Sequence, residues 1–311
     1  MILYKLLGLC DTSHPAKKLE QLPPRIIETL KVASCFGSQV NESIIRLLGP
    51  SQFVEDMTEA LELAEAEGII EKAGPIFAFS HDMLQESTYN LISSQKERTL
   101  LHKKIAMSLV RHPEVLQDAD RCTVTADQIN RCADVNRILD STERALFARL
   151  NLTAGQHAMH ASSYGQAWGY FEAGIVLLNN QHWDQQYFLS LQLYEMSAVA
   201  SFTDGNIDTV TSRLDEILSH ARSFDDRLTA RALLAQSLAA QGLVAKGVQI
   251  ILEVLSGLGE IFPRNVTPAH VSEEMTAMLP QLRNVTEDWL RNLPVMTDVR
   301  KLNAMKVCFV W

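Results

Sequence analysis

The chain has 311 residues, 47% of them hydrophobic and 21% charged, with a formal net charge of −9, the balance of an ordinary folded protein rather than a fibrous or disordered one. The acidic excess excludes a whole-chain electropositive footprint for nucleic acid, and no apolar run approaches the length of a membrane span. Cys10, Cys35, Cys122, Cys132 and Cys308 are scattered with no CxxC. With no convincing signal peptide, this suits a reducing compartment, and the localisation read from the sequence is cytoplasmic.

Residues 1–20 read as an incoming linker or the end of a preceding helix. Pro23-Pro24 opens the first well-marked helix, from Arg25 to about Phe36, with Gly37 as its stop. Glu42–Leu48 follows as a short helix ending at Gly49-Pro50. Ser51 is placed to cap a third, Phe53–Glu67. Residues 69–79 read as a β-hairpin turning at Gly74-Pro75, and a helix starts from Asp82. Three helices, a hairpin and a closing helix match the pattern of a winged helix-turn-helix. Residues 21–112 are therefore expected to be a winged-helix domain with its connecting helix.

Beyond residue 95 the periodicity is helical throughout. Helices are expected over 96–111, 126–139, 142–161, 164–179, 184–203, 207–222, 226–241, 244–257, 271–284 and 286–292. Small and large apolar residues recur at fixed offsets. Gly155, Tyr164, Ala167, Phe171 and Gly174 form one set; Ala198, Ile207, Val210, Leu214 and Ile217 a second; Ala235, Val244, Gly247, Ile251 and Val254 a third. Paired helices need small residues where they approach and a large one to fill the gap, so residues 126–311 read as a degenerate tetratricopeptide-like array. An irregular helical bundle is the plainer reading. The end, Phe309-Val310-Trp311, reads as the middle of a helix, so the array is expected to be truncated at the C-terminus. The fold class is mainly α, a winged helix-turn-helix followed by tetratricopeptide-like repeats.

Signs of chemistry are sparse. No GxxxxGK[ST], HExxH or GxSxG occurs. Gly257-Leu258-Gly259 reads as a helix stop. His157 and His160 lie three apart but lack companion ligands, so two surface histidines is the plainer reading and no metal site is assigned. Asp118 and Asp120 read as solvated residues of a polar loop, and Trp168, Trp183 and Trp289 as packing anchors. What remains is His81, at a strand-to-helix junction. It reads as a histidine satisfying local backbone groups, as a nucleotide-sensing residue, or as a phosphoacceptor. Phe79-Ser80-His81-Asp82 also looks like the start of a sensor-kinase H-box, but Gln85 and Glu86 stand where a basic residue and a proline normally follow.

The segment Phe79–His102, read as F-x-H-D-x-x-Q-x-x-x-Y-x-L-I…R-x-x-L-H, resembles the end of the winged-helix domain in STAND-class signalling ATPases, relatives of the AAA proteins. Leu22-Pro23-Pro24…Leu30-Lys31-Val32-Ala33-Ser34-Cys35-Phe36-Gly37 resembles that family's first winged-helix segment. Glu143-Arg144…Leu150-Asn151-Leu152-Thr153-Ala154-Gly155…Tyr164…Ala167…Gly174…Trp183 resembles the branch of large multidomain sensor kinases. The resemblance covers about residues 20–260.

The resemblance implies a mechanism. ATP or ADP binds an ATPase module that is not in this chain. The winged helix folds over it, and the histidine of a Met-His-Asp-like motif touches the β-phosphate of ADP. His81 and Asp82 match that pair, with Ser80 in place of the methionine. Asp82 is expected to cap its helix. The chain itself is expected to hold no catalytic residue and no cofactor. Its expected partners are proteins bound by the helical array and an ATPase domain in cis or in trans. The alternative is a transcription regulator whose winged helix binds DNA. Against it, the expected recognition helix carries Glu55, Asp56, Glu59, Glu62, Glu65 and Glu67 with no Lys or Arg, the wrong sign for phosphates.

Overall fold

The computed structural model describes Leu19, Phe53 and residues 21–48, 56–132, 135–263, 266–283 and 285–310. The expectations that rest on residues 1–18, Glu20, Gly49-Pro50, Ser51, Glu55 and Trp311 lie outside the described residues. The protein is mainly α. It divides into two compact units, Met1–Leu193 and Tyr194–Trp311.

The first unit opens with α1 (Pro24–Ser34). Proline at its first position costs nothing, because that N–H has no helical partner. Ile26, Leu30 and Ala33 face the core, and the helix ends before Phe36. A short strand, β1 (Gln39–Asn41), follows where the sequence suggested none. Asn41 then caps α2 (Glu42–Leu47), accepting the Ser43 N–H at 2.9 Å. Helix α3 (Met57–Ala66) starts at Met57 rather than Phe53. Asp56 sits at φ +52°, outside helical space, and its carboxylate takes the Glu59 N–H at 3.1 Å. Strands β2 (Ile70–Ala73) and β3 (Ile76–Phe79) form the expected hairpin, and β1 adds to it in the antiparallel order β1-β3-β2.

Helices α4 (Asp82–Asn90) and α5 (Gln95–Leu109) close this half. Leu30, Leu61, Ile69, Phe77 and Ile105 are fully buried in one cluster. After α6 (Glu114–Gln117) comes α7 (Ala119–Asn130). This helix corrects the loop read at Asp118 and Asp120: Asp118 is its cap, accepting the Arg121 N–H at 2.9 Å, and Asp120 lies in its first turn. The helix α8 (Val135–Ile138) leads to α9 (Ser141–His160), which has a capping box of Asp140 and Glu143. Helix α10 (Tyr164–Leu177) returns against α9. The helices α11 (His182–Gln185) and α12 (Tyr187–Thr203) follow, and the division between units falls within α12.

The second unit continues through α13 (Ile207–His220), α14 (Leu228–Ala240) and α15 (Val244–Leu258). Gly205 and Gly242, at φ +80° and +82°, make the tight turns before α13 and α15. Leu228, Ala235, Ile251, Val254 and Leu258 form its core. The helices α16 (Pro268–Leu282) and α17 (Glu287–Arg291) bury no residue. Trp289, on α17, is 50% exposed, which corrects its reading as a packing anchor. The helix α18 (Val299–Val310) adds Ala304 and Val307 to the core. No helix among the described residues is long and apolar enough to cross a membrane.

Candidate functional site

The junction at His81 is built by β3 and α4. Ser80 holds the end of β3: its N–H donates to Ile69 C=O at 3.0 Å and its hydroxyl to Gly68 C=O at 3.1 Å. His81 follows in an extended conformation, φ −148° and ψ 143°, so the chain leaves the strand line and enters α4 with Leu84 and Thr88 turned to the core. His81, not Asp82, is therefore the N-cap residue, and its side chain makes no capping bond. Asp82 is the first helical residue. It complements the helix dipole from the first turn but caps no N–H, which corrects the expectation by one position.

Several other residues of the Phe79–His102 segment are spent internally. Phe79 and Ile92 are buried. Gln85 Nε2 donates to Ser34 C=O at 2.9 Å, at the C-terminus of α1. The next carbonyl, Cys35 C=O, accepts from Gln128 Nε2 at 3.1 Å and from Arg131 Nη1. Three side chains thus satisfy the last carbonyls of α1, and the guanidinium opposes the negative end of its dipole.

Gln128 also reaches His102. Its Nε2 is committed to Cys35, so its Oε1 accepts from His102 Nδ1 at 2.8 Å. The imidazole proton therefore sits on Nδ1. Nε2 is left to accept from the Tyr89 hydroxyl at 3.0 Å. Arg98 lies over the Tyr89 ring at 4.7 Å. His102 is 1% exposed, and burial lowers its pKa, opposed by the bond to Gln128 and aided by the Arg131 charge. Tyr89, Gln128 and Arg131 close a buried relay between α4, α5, α7 and α1.

What faces outward from the segment is His81, Asp82, Met83 and Glu86, all exposed. The His81 imidazole makes no hydrogen bond among the described residues. His157 Nε2 lies 3.5 Å from Leu116 C=O, and no group of three or more His, Cys, Asp and Glu is placed to hold a metal among the described residues.

In the first set a small and a large residue meet across a helix pair, whereas Val244 of the third set is 53% exposed. Phe171 fills the space at Gly155, and Ala167 and Gly174 are buried in the same hairpin. Tyr170 donates to Asp127 at 2.7 Å, joining α10 to α7. In the second unit Ala198, Val210, Leu214, Ile217, Ala235, Ile251 and Val254 are buried. Two features carry no local sequence signal. One is the relay through Gln128 and Arg131. The other is Glu195, whose carboxyl is pushed up to about 7 by burial, against a hydrogen bond from Thr229 and with the charge of Asp226 adding to the rise.

No family model matches the chain, and no curated protein matches it. Among solved structures it is similar to the crystal structure of a signal transduction ATPase with numerous domains (STAND) carrying a tetratricopeptide repeat sensor, from Pyrococcus horikoshii. The match spans 94% of this chain and 48% of that one, at 14% identity and a TM-score of 0.33. The similarity is coarse, and the chain spans about half the length of that protein.

Proposed function

We propose that the chain is a regulatory and scaffold segment of a STAND-type signalling ATPase or sensor kinase. In this reading residues 21–112 are a winged-helix domain and residues 126–311 a tetratricopeptide-like array. They couple the nucleotide state of an ATPase domain, in cis or in trans, to the binding of protein partners. The chain supplies no catalytic group, and ATP or ADP belongs to the ATPase domain.

One observation carries the reading. Phe79, Gln85, Tyr89, Ile92 and His102 are all satisfied inside the first unit, whereas His81 is exposed with an unbonded imidazole. A histidine in that position is available to donate to a phosphate oxygen on a docked neighbour. Asp82 and Glu86 lie beside it and repel a phosphate, so the contact is a single directed hydrogen bond and the ATPase side supplies the neutralising cations. DNA binding is disfavoured. Within α3, Glu59 pairs with Arg25 at 2.7 Å and Glu62 with Lys72 at 3.0 Å, and no cation on the helix meets phosphates.

The test is the affinity of the chain for its ATPase domain, measured by calorimetry with ADP or ATP loaded. The reading predicts tighter association in one nucleotide state by at least about tenfold, which is about 1.4 kcal/mol. Equal affinities, or salt-sensitive binding of duplex DNA by the chain, would contradict it.

A further inference from the structure

We propose that the second unit pairs with a second copy of this chain: α16 of one copy packs on α18 of the other, and the reverse, about a twofold axis. In α16, Val271, Met275, Met278, Leu279 and Leu282 recur at the spacing of one helix face, a stripe about 100° wide. In a folded chain such a stripe ordinarily covers a core. Here the five side chains are 46–55% exposed, and α16 buries no residue. Helix α18 is two-sided. Ala304 and Val307 enter the core against α14 and α15. Met305 and Phe309, one turn apart on another face, are 60% and 93% exposed.

Area and charge select the second copy as the occupant. Large exposed apolar faces on a folded chain mark interaction sites. These seven side chains expose on the order of 800 Å² per copy, about what each partner gives to a standard interface. The two stripes also differ in sign at their edges. Glu274 borders the α16 stripe, one turn from Val271 and from Met278, and the helix holds Glu273 and Glu274 with no Lys or Arg. Lys301 and Lys306 border the α18 stripe, one turn from Met305 and from Phe309, and that helix holds Arg300, Lys301 and Lys306 with no acid. Glu274, Lys301 and Lys306 are exposed, and none makes an ion pair among the described residues.

Three pairings of these stripes are open to two copies. Packing α16 on α16 sets Glu274 beside Glu274, and packing α18 on α18 sets lysines beside lysines. Packing α16 on α18 closes the apolar stripes and places opposite charges along their edges. A second copy carries the complement of both stripes, and a twofold axis makes both contacts at once, since each residue pair then occurs twice. The pairing uses the second unit alone and does not depend on nucleotide.

The test is sedimentation equilibrium of the full chain from about 1 to 100 µM, with a reductant so that the exposed Cys308 forms no disulfide. The chain should dimerise in that range, and less at high salt. Phe309→Ser should weaken the dimer at least about tenfold. Two further variants reverse charge: Glu274→Lys alone, and Lys301→Glu together with Lys306→Glu. Each sets like charges across both contacts and should weaken its own dimer about tenfold. An equal mixture of these two chains restores opposite charges at both contacts, so their heterodimer should form at least about tenfold more tightly than either homodimer. All four substituted side chains are exposed, so circular dichroism should show the fold kept. A chain that stays monomeric at about 100 µM would overturn the proposal, and is what packing of α16 on α18 within one copy would give. A dimer indifferent to both charge reversals, or a mixture that favours no heterodimer, would overturn it as well.

Discussion

Gly155 and Phe171 pack so closely that a methyl group on the glycine would lie 2.3 Å from Phe171 Cε1. The contact joins α9 to α10, and Phe171 is fully buried, so the ring has nowhere to go. Gly155→Ala should therefore cost about 1–3 kcal/mol, the usual penalty of overpacking, reduced by the better helix propensity of alanine. Gly257 is the control. A methyl there would meet Phe224 Cζ at 2.4 Å, but Phe224 is 39% exposed and can swing away. Gly257→Ala should be neutral or stabilising by up to about 1 kcal/mol. Urea denaturation of the two variants reads the contrast, and equal destabilisation would show that the α9–α10 contact is not tight.

Capping separates two aspartates that look alike in sequence. Asp118 accepts a backbone N–H at the start of α7, whereas Asp82 accepts none at the start of α4. Asp118→Ala should cost about 1 kcal/mol. Asp82→Ala should cost only a dipole contribution of about 0.3 kcal/mol. Thermal unfolding checks the order, and a larger loss for Asp82 would restore it as the cap.

The hairpins were legible because their signal is local. A small residue at Gly155 and a large one at Phe171 recur at offsets that only paired helices require. Strand β1 was not legible, since Gln-Val-Asn contributes one buried side chain and no period. The start of α7 was hidden by Cys122, Thr123, Val124 and Thr125, weak helix formers whose burial on one face overrides their propensity. Asp56 delays the start of α3 to Met57 through a left-handed backbone that no pattern announces. The bond from Arg131 to Cys35 C=O links residues far apart in the chain, so nothing near either residue points to it. At the candidate site the sequence singled out His81, and the structure adds that Phe79, Gln85, Tyr89, Ile92 and His102 of the segment are engaged inside the first unit.

His102 sets an acid limit for the first unit. Its folded pKa lies below the ordinary histidine value of 6.5. Between the two values the unfolded chain binds the extra proton, so stability rises with pH there. The contribution is fully present above 6.5 and is lost as pH falls from 6.5 through the folded pKa, at up to about 1.4 kcal/mol per pH unit. His102→Gln should flatten this dependence below pH 6.5. An unchanged slope in chemical denaturation would remove His102 from the relay.

Glu195 acts in the opposite direction. Its carboxyl is raised from 4.5 to about 7, so the folded state holds a proton that the unfolded state has released. Stability falls as pH rises from 4.5 to 7. Glu195→Gln should raise stability at pH 8 by about 1–3 kcal/mol and leave it nearly unchanged at pH 4. A variant that stabilises equally at both would show that burial of the charge is not the cause.

The central claim is that His81 touches nucleotide phosphate on an ATPase domain. ADP release is its most direct measure. In the protein that carries or recruits that domain, a fluorescent ADP should leave about tenfold faster from His81→Ala than from wild type. His81 is exposed and unbonded, so the thermal stability of this chain should not change. His81→Asn, which keeps a donor, should recover part of the retention. Unchanged release in His81→Ala, with the fold intact, would contradict the account.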